Sequence, residues 1–116
     1  MKLLLGFAMC CMLSSCHATV SGCETPSSTI RVFGSALTVK ELEKIGMKFA
    51  AQNPEQPQVP FSRGHKHWLA LKEAVRPGDV IRSYEGPRGA SDRPISGGYV
   101  LLRGGCEVAR LTTWVS

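Results

Sequence analysis

The chain has 116 residues, enough for one small domain, with fourteen Lys and Arg against nine Asp and Glu and a net charge of +5. The basic residues are spread along the chain and form no stripe with aromatic residues between them, so nucleic acid is excluded as an expected partner. Such an excess is typical of a solvated surface. At most it supports weak attraction to anionic lipid or polysaccharide.

Residues 1–15 have the features of a secretory signal peptide. Lys2 precedes an eleven-residue apolar stretch that runs from Leu3 to Leu13. This stretch is shorter than the roughly 20 apolar residues of a membrane-spanning helix, but it has the length of a signal-peptide core. The alternative is a buried N-terminal helix, which would be apolar on every side. The sequence therefore predicts that residues 1–15 are cleaved.

The residues that follow this core resemble a lipobox. Leu13-Ser14-Ser15-Cys16 is similar to the motif of bacterial lipoproteins, in which a Leu and two small residues precede a cysteine that carries a diacylglyceryl group. The resemblance implies that Cys16 is lipidated and becomes the new N-terminus. Two acyl chains suffice for stable membrane anchoring. His17 stands where an Asp would favour inner-membrane retention, so the resemblance favours the outer membrane.

An ordinary signal-peptidase site overlaps this motif. Cys16 and Ala18 are small residues at its minus-three and minus-one positions, and cleavage there would release a soluble periplasmic or secreted chain that begins at Thr19. The lipobox is preferred because it uses the thiol of Cys16 and not only its size.

The cysteine count predicts one disulfide. Cys10 and Cys11 lie in the signal peptide and Cys16 carries lipid, which leaves Cys23 and Cys106. Two cysteines in an oxidising compartment indicate a bridge, worth at most about 4 kcal/mol for a loop of this length. The alternative is two free thiols.

The mature chain divides into a tether and one domain. Residues 16–29 comprise the lipidated cysteine and a small, polar segment with little to bury, which predicts a flexible tether. Residues 30–116 are expected to form a single α+β domain, with two helices packed on a small antiparallel sheet that ends in a C-terminal hairpin.

The first half of the domain is expected to hold a strand and a helix. Ile30 to Phe33 predicts a short strand. Thr38 and Glu41 have the spacing of a capping box, and apolar residues then recur at helical spacing, which predicts a helix from about 39 to 51. Gly46 inside it either costs up to about 1 kcal/mol or marks a place of close packing.

The second half is expected to hold another helix and three strands. A helix over 63–75 buries Trp68, Leu71 and Val75, and a strand over 80–84 follows. A polar loop from Glu85 to Gly98 leads to a hairpin about Gly104-Gly105, with strands over 99–103 and 106–113. We expect Leu101 opposite Val108 and Tyr99 opposite Arg110 in this hairpin.

The last fifty residues are similar to small uncharacterised bacterial proteins that carry a Trp, a PGDxI turn and strand, and a GYxLxRxG hairpin. The matching segments here are WLALK (68–72), RPGDVI (76–81), GYVLLRGG (98–105) and VA (108–109). Where those proteins usually have a Trp after the turn, this chain has Arg82. The resemblance implies a fold and carries no activity.

Candidate chemical groups are few, and we expect no enzyme, no metal and no cofactor. His65 and His67 point to different sides of a helix and have no further ligand nearby in sequence. A cysteine peptidase needs its nucleophile on a helix and a histidine on the sheet, but neither Cys23 nor Cys106 lies on a predicted helix and no histidine follows His67.

Two hypotheses for function remain. The first is an accessory lipoprotein that is anchored in the membrane and binds an envelope protein or a cell-wall partner. The second is an inhibitor or immunity protein that blocks an envelope enzyme by inserting the loop that carries Arg88 and Arg93. The alternative is that both arginines only make the surface more soluble and contact no partner. Tyr84, Trp68 and Trp114 are expected in the core or at its margin.

Overall fold

A computed structural model of the chain describes residues 30–116. The predictions for the signal peptide, for Cys16, for Cys23 and for the tether lie outside the described residues. Among the described residues, no helix has the length and apolarity to cross a membrane.

The domain is a four-stranded antiparallel sheet with two helices on one face. Its elements in chain order are β1 (Arg31–Leu37), α1 (Val39–Ala51), α2 (His65–Ala74), β2 (Val80–Glu85), β3 (Ser96–Arg103) and β4 (Cys106–Val115), with a single 3-10 turn (Ser62–Gly64) before α2. The strands lie side by side in the order in which they occur in the chain. The predicted α+β class and the C-terminal hairpin are confirmed.

The predicted bounds of α1 are also confirmed, because its first turn is capped as the sequence indicated. The hydroxyl of Thr38 accepts a hydrogen bond from the backbone N–H of Glu41 at 3.0 Å, and the carboxylate of Glu41 accepts one from the N–H of Thr38 at 2.8 Å. These two bonds satisfy donors that the helix leaves free at its N-terminus.

The main core lies between the helices and the sheet. Its buried side chains come from both helices, from the segment between them and from three strands: Leu42, Phe61, Trp68, Leu71, Ile81, Leu101 and Leu111. Trp68 and Leu101 are completely buried. Full burial of one large apolar side chain contributes about 1.5–3 kcal/mol, so this cluster dominates the stability of the domain.

The opposite face of the sheet holds a second, smaller set of buried residues. Because side chains alternate along a strand, Tyr84 and Val100 point away from the helices. The hydroxyl of Tyr84 shares a hydrogen bond of 2.6 Å with that of Thr112, and the guanidinium of Arg110 lies 4.9 Å from the centre of the Tyr84 ring. Arg110 is in turn held by an ion pair with Glu107.

Two predicted elements need correction at their ends. Strand β1 continues past Phe33 to Leu37, because a register shift accommodates Gly34 at φ +81° within the strand. Helix α2 begins at His65 and ends at Ala74, because Phe61 and Ser62 have positive φ and Val75 is already extended. Val75 therefore packs beside the core from outside the helix.

The predicted hairpin register is also wrong by one residue. Arg103 pairs with Cys106 and Leu102 with Glu107, but a bulge then places Leu101 opposite Ala109. Beyond the bulge, Tyr99 pairs with Leu111 where Arg110 had been expected. Cross-strand partners share a face, so the bulge is what brings Leu111 into the core beside Leu101.

Candidate functional site

The helices cover only part of their face of the sheet. The end of the sheet where β1 begins and β4 finishes is left open, and the strands there present Phe33, Ser83, Tyr99 and Trp114 around a shallow cavity of about 200 Å³. Gly97 pairs with Trp114 across the two strands. A Cβ on Gly97 would be only 2.5 Å from the nearest atoms of the Trp114 ring. The missing side chain of Gly97 therefore leaves the space that the indole of Trp114 occupies.

A second cavity of about 190 Å³ adjoins the first and shares Thr113 with it. Phe49, Phe61 and Leu111 form its apolar wall. The ring of Phe61 is 5.9 Å from that of Phe49 and 6.1 Å from that of Tyr99. We call this continuous surface the aromatic groove and define it by Phe33, Phe49, Phe61, Tyr99 and Trp114.

Phe61 occupies the centre of the groove at the expense of backbone strain. Phe61 and Ser62 have φ of 65° and 48°, a conformation that costs non-glycine residues of order 1–3 kcal/mol each. The backbone N–H of Phe61 donates to the carbonyl of Gly46 at 3.0 Å, which holds the segment against α1. Such strain persists only where the surrounding contacts impose it, and it often occurs at ligand sites.

Polar groups stand at one end of the groove. Glu85 forms an ion pair with Arg31 at 3.2 Å, and the guanidinium of Arg31 lies 4.4 Å from the centre of the Phe33 ring. Burial raises the pKa of Tyr99 above its usual value of 10.0. The groove thus combines aromatic faces with a few hydrogen-bonding groups, the usual composition of a binding site.

The predicted loop between β2 and β3 is shorter and more ordered than expected. Residues 86–95 continue the β2–β3 hairpin, with hydrogen bonds from the N–H of Gly86 to the carbonyl of Ser96 and from the N–H of Ile95 to the carbonyl of Pro87. Arg88 pairs with Pro94 in an isolated bridge. We call residues 86–95 the arm.

The two arginines of the arm differ in their surroundings. Arg88 donates to the backbone carbonyl of Asp92 at 2.7 Å and approaches the Asp92 carboxylate at 3.9 Å, so its side chain supports the turn. Arg93 is exposed on the same arm. The structure thus brings both predicted contact residues onto one projection, next to the open end of the sheet.

The remaining candidate groups have structural surroundings. His65 lies at the start of α2 with its Nδ1 3.0 Å from the carbonyl of Pro60, and His67 is exposed. Within residues 30–116, no three His, Cys, Asp or Glu side chains are grouped as metal ligands would be. Ser62 Oγ and Trp68 Nε1 are buried without a hydrogen-bond partner among the described residues. Ser62 belongs to the strained segment and Trp68 to the core beneath it.

Cys106 is disulfide-bonded, and its partner cysteine lies outside the described residues. Its sulfur is therefore not available as a nucleophile in this state. The pairing with Cys23 stays a prediction.

Sequence reasoning missed most of the groove. It considered Trp114 as a marginal core residue, but the side chain is 43% exposed, whereas Trp68 and Tyr84 are buried as expected. Phe33, Phe49 and Phe61 are far apart in sequence, and no local pattern indicates that their rings share a surface. The one available signal was Gly97-Gly98 before Tyr99, a pair without side chains in a strand.

No family model, no curated protein and no solved structure matches this chain. The likeness to lipoproteins and to the small bacterial proteins therefore remains an expectation from the sequence.

Proposed function

We propose that this protein is an envelope lipoprotein, anchored through lipid on Cys16, whose domain binds a peptidoglycan-linked partner in the aromatic groove. The observation that carries the proposal is the groove itself. Three of its aromatic side chains, Phe33, Tyr99 and Trp114, come from strands at the open end of the sheet, and Trp114 is 43% exposed. Phe49 of α1 and the buried Phe61 complete its wall. Exposed aromatic residues beside a few polar groups are the usual anchors of binding sites.

A binding role also agrees with the chemistry of the groove. The groups at its end are one ion-paired carboxylate, hydroxyls and the phenol of Tyr99. Acid–base or nucleophilic catalysis needs a base within hydrogen-bond reach of a reacting group, and the described lining residues offer no histidine or free thiol for it. We therefore propose a binding module and not an enzyme.

The anchor is tested by intact-mass analysis and membrane fractionation of the wild-type chain beside Cys16→Ser. We expect a mature chain that begins at Cys16 with added acyl mass in the membrane fraction, and an unprocessed form in the variant. A soluble, unmodified chain that begins near Thr19 in both would contradict the anchor and leave a periplasmic or secreted protein. The outer membrane is the expected fraction, in view of His17.

The groove is tested by co-sedimentation with purified peptidoglycan sacculi and by tryptophan fluorescence. Trp68 is fully buried, so a fluorescence change on addition of solubilised glycan fragments is expected to come from Trp114. Trp114→Ala is expected to weaken co-sedimentation at least tenfold. Leu69→Ala, which removes an equally exposed apolar side chain on α2 outside the groove, is the matched control. Equal binding by both variants would contradict the assignment.

The ordered arm favours one alternative function, an inhibitor or immunity protein. A hairpin extension that is held by its own hydrogen bonds presents the exposed Arg93 with little loss of conformational entropy on binding. In this case, capture on the purified protein would recover a muralytic or lipolytic enzyme and inhibit it. Arg93→Ala would abolish inhibition directly, and Arg88→Ala would weaken it by loosening the turn at Asp92.

A further inference from the structure

The two cavities of the aromatic groove differ in charge. In the first cavity the charged lining residue is Glu85, and Arg31 already forms an ion pair with it. In the second cavity the charged lining residue is Arg63, and its lining contains no acidic residue. Arg63 is exposed and has no ion-pair partner among residues 30–116. Because a guanidinium binds a carboxylate with charge-assisted hydrogen bonds, the second cavity favours a ligand with an acidic group.

The first cavity combines an exposed indole with a hydrogen-bonding pair. Trp114 is 43% exposed. Nε and Nη2 of Arg31 both approach the same oxygen of Glu85, Oε1, at 3.2 Å. Among the described residues, Oε2 of Glu85 therefore keeps its capacity to accept a hydrogen bond, and Nη1 of Arg31 keeps its capacity to donate. A sugar ring fits such a surface, because its C–H groups pack against an aromatic ring while its hydroxyls reach the polar pair.

The floor of the groove is unsuited to an added peptide strand. Ser83 pairs with Phe33 on one side and with Tyr99 on the other, and Tyr99 pairs in turn with Leu111. The backbone groups of these strands are thus used within the sheet, so a ligand on this face must be recognised through side chains. The cavities are also shallow and continuous, which suits a unit of an extended polymer better than an enclosed small molecule.

We propose that the aromatic groove binds an acidic saccharide. A sugar ring packs on Trp114 and forms hydrogen bonds with Glu85 and Arg31, and a carboxylate carried by the saccharide pairs with Arg63. The two cavities adjoin at Thr113, so a short run of linked sugars can occupy both. This inference rests on the proposed function and names its ligand. In peptidoglycan the chemistry belongs to muramic acid units without a stem peptide, because their lactyl carboxylate is then free.

The experiment is calorimetric titration of the purified full-length protein with three probes. They are peptide-free glycan strands prepared from sacculi with an amidase, the neutral oligosaccharide tetra-N-acetylchitotetraose, and the stem tetrapeptide alone. Per binding site, we expect the glycan strands to bind about ten times more tightly than chitotetraose, because only they carry carboxylates. Raised ionic strength should reduce this difference, since salt screens an exposed ion pair. The stem peptide should not bind.

Two variants separate the contributions of the two cavities. Arg63→Gln should remove the preference for the acidic strands, so that both saccharides bind equally. Lys66→Gln is the matched control, because Lys66 is an exposed cation on α2 close in sequence to Arg63 but lines neither cavity. It should keep the preference. Trp114→Ala should weaken the binding of both saccharides.

Several results would overturn the inference. Equal affinity of the wild type for acidic and neutral saccharides would exclude the carboxylate, as would a preference that survives Arg63→Gln. Binding of the stem peptide in place of the saccharides would exclude a sugar ligand, while co-sedimentation with sacculi would still support the proposed function. Conversely, tight binding of the glycan strands that depends on Arg63 would support the acidic saccharide even if intact sacculi, whose lactyl groups carry peptides, failed to bind.

Discussion

The ring of Phe61 lies directly over Gly46 of α1, so close that a Cβ on that glycine would be 2.7 Å from two carbons of the ring. The backbone reinforces this approach, because the N–H of Phe61 donates to the carbonyl of Gly46. Gly46 has a low helix propensity and so weakens α1, but its missing side chain permits the contact that places Phe61 in the groove. Of the two explanations that the sequence left open for Gly46, close packing is the correct one.

Gly46→Ala is therefore expected to destabilise the domain despite the better helix propensity of alanine. Propensity favours the variant by about 1 kcal/mol, whereas overpacking against the ring and Pro60 costs about 1–3 kcal/mol. We expect a net loss of about 1 kcal/mol in urea denaturation. The double variant with Phe61→Leu should show a smaller loss for the same alanine. A gain in stability from Gly46→Ala alone would contradict the packing.

Because of Asp79, the stability of the domain is expected to fall as the pH is lowered into the acidic range. The hydrogen bonds that Arg103 donates to this carboxylate, at 2.8 and 2.9 Å, together with one from the N–H of Arg76, lower its pKa from 3.8 to about 2. A pKa that is lower in the folded than in the unfolded state stabilises the fold fully above pH 3.8, and this stabilisation is lost as the pH falls through 2.

The measurement is the difference in unfolding free energy between wild type and Asp79→Asn at several pH values. We expect the wild type to be more stable at pH 6 and the difference to shrink between pH 4 and pH 2. Asp92→Asn is the control, since the Asp92 carboxylate is exposed and lies 3.9 Å from its arginine. A difference that stays constant down to pH 2 would exclude Asp79 as the titrating group.

The adjacent glycines of β3 are expected to respond very differently to alanine. In Gly97→Ala the new methyl meets the ring of Trp114, a side chain that can move. In Gly98→Ala it meets the carbonyl oxygen of Leu111 and the backbone of Thr113, which cannot move without breaking the β3–β4 pairing. We expect a loss below about 1 kcal/mol for the first variant and about 3 kcal/mol or more for the second.

Tryptophan fluorescence and thermal denaturation distinguish these two outcomes. Gly97→Ala should change the emission of Trp114, weaken binding to sacculi and leave the melting temperature within a few degrees of wild type. Gly98→Ala should lower the melting temperature by considerably more than a few degrees. Equal effects of the two variants on stability would mean that the Trp114 ring is fixed in place. This result would contradict the prediction that this side chain, which is 43% exposed, can move away from a new methyl group.

Tyr84→Phe is expected to cost about 1 kcal/mol, because it removes the hydrogen bond of 2.6 Å to the Thr112 hydroxyl and leaves the ring and its contact with Arg110 in place. Thr112→Val removes the other partner. The two substitutions together should cost less than the sum of their separate effects in denaturant titrations. Strictly additive effects would show that the hydroxyls act independently.

The sequence by itself determined the elements whose signals are local. The capping box of Thr38 and Glu41 and the spacing of Leu42, Ile45 and Phe49 settle α1, because a cap and an amphipathic face act within a few turns of one helix. The glycine pair before Cys106 settles the last turn for the same reason. The class of fold follows from the order of such elements.

Only the tertiary structure decided how these elements meet. The bulge that pairs Leu101 with Ala109 depends on which register buries Leu111, and the conformation of Phe61 depends on Gly46 fifteen residues earlier. The aromatic groove likewise unites Phe33 with Trp114, at opposite ends of the domain sequence. Packing between distant segments leaves no periodic or local pattern in a single sequence, because the contacts that stabilise it form only when the chain is folded.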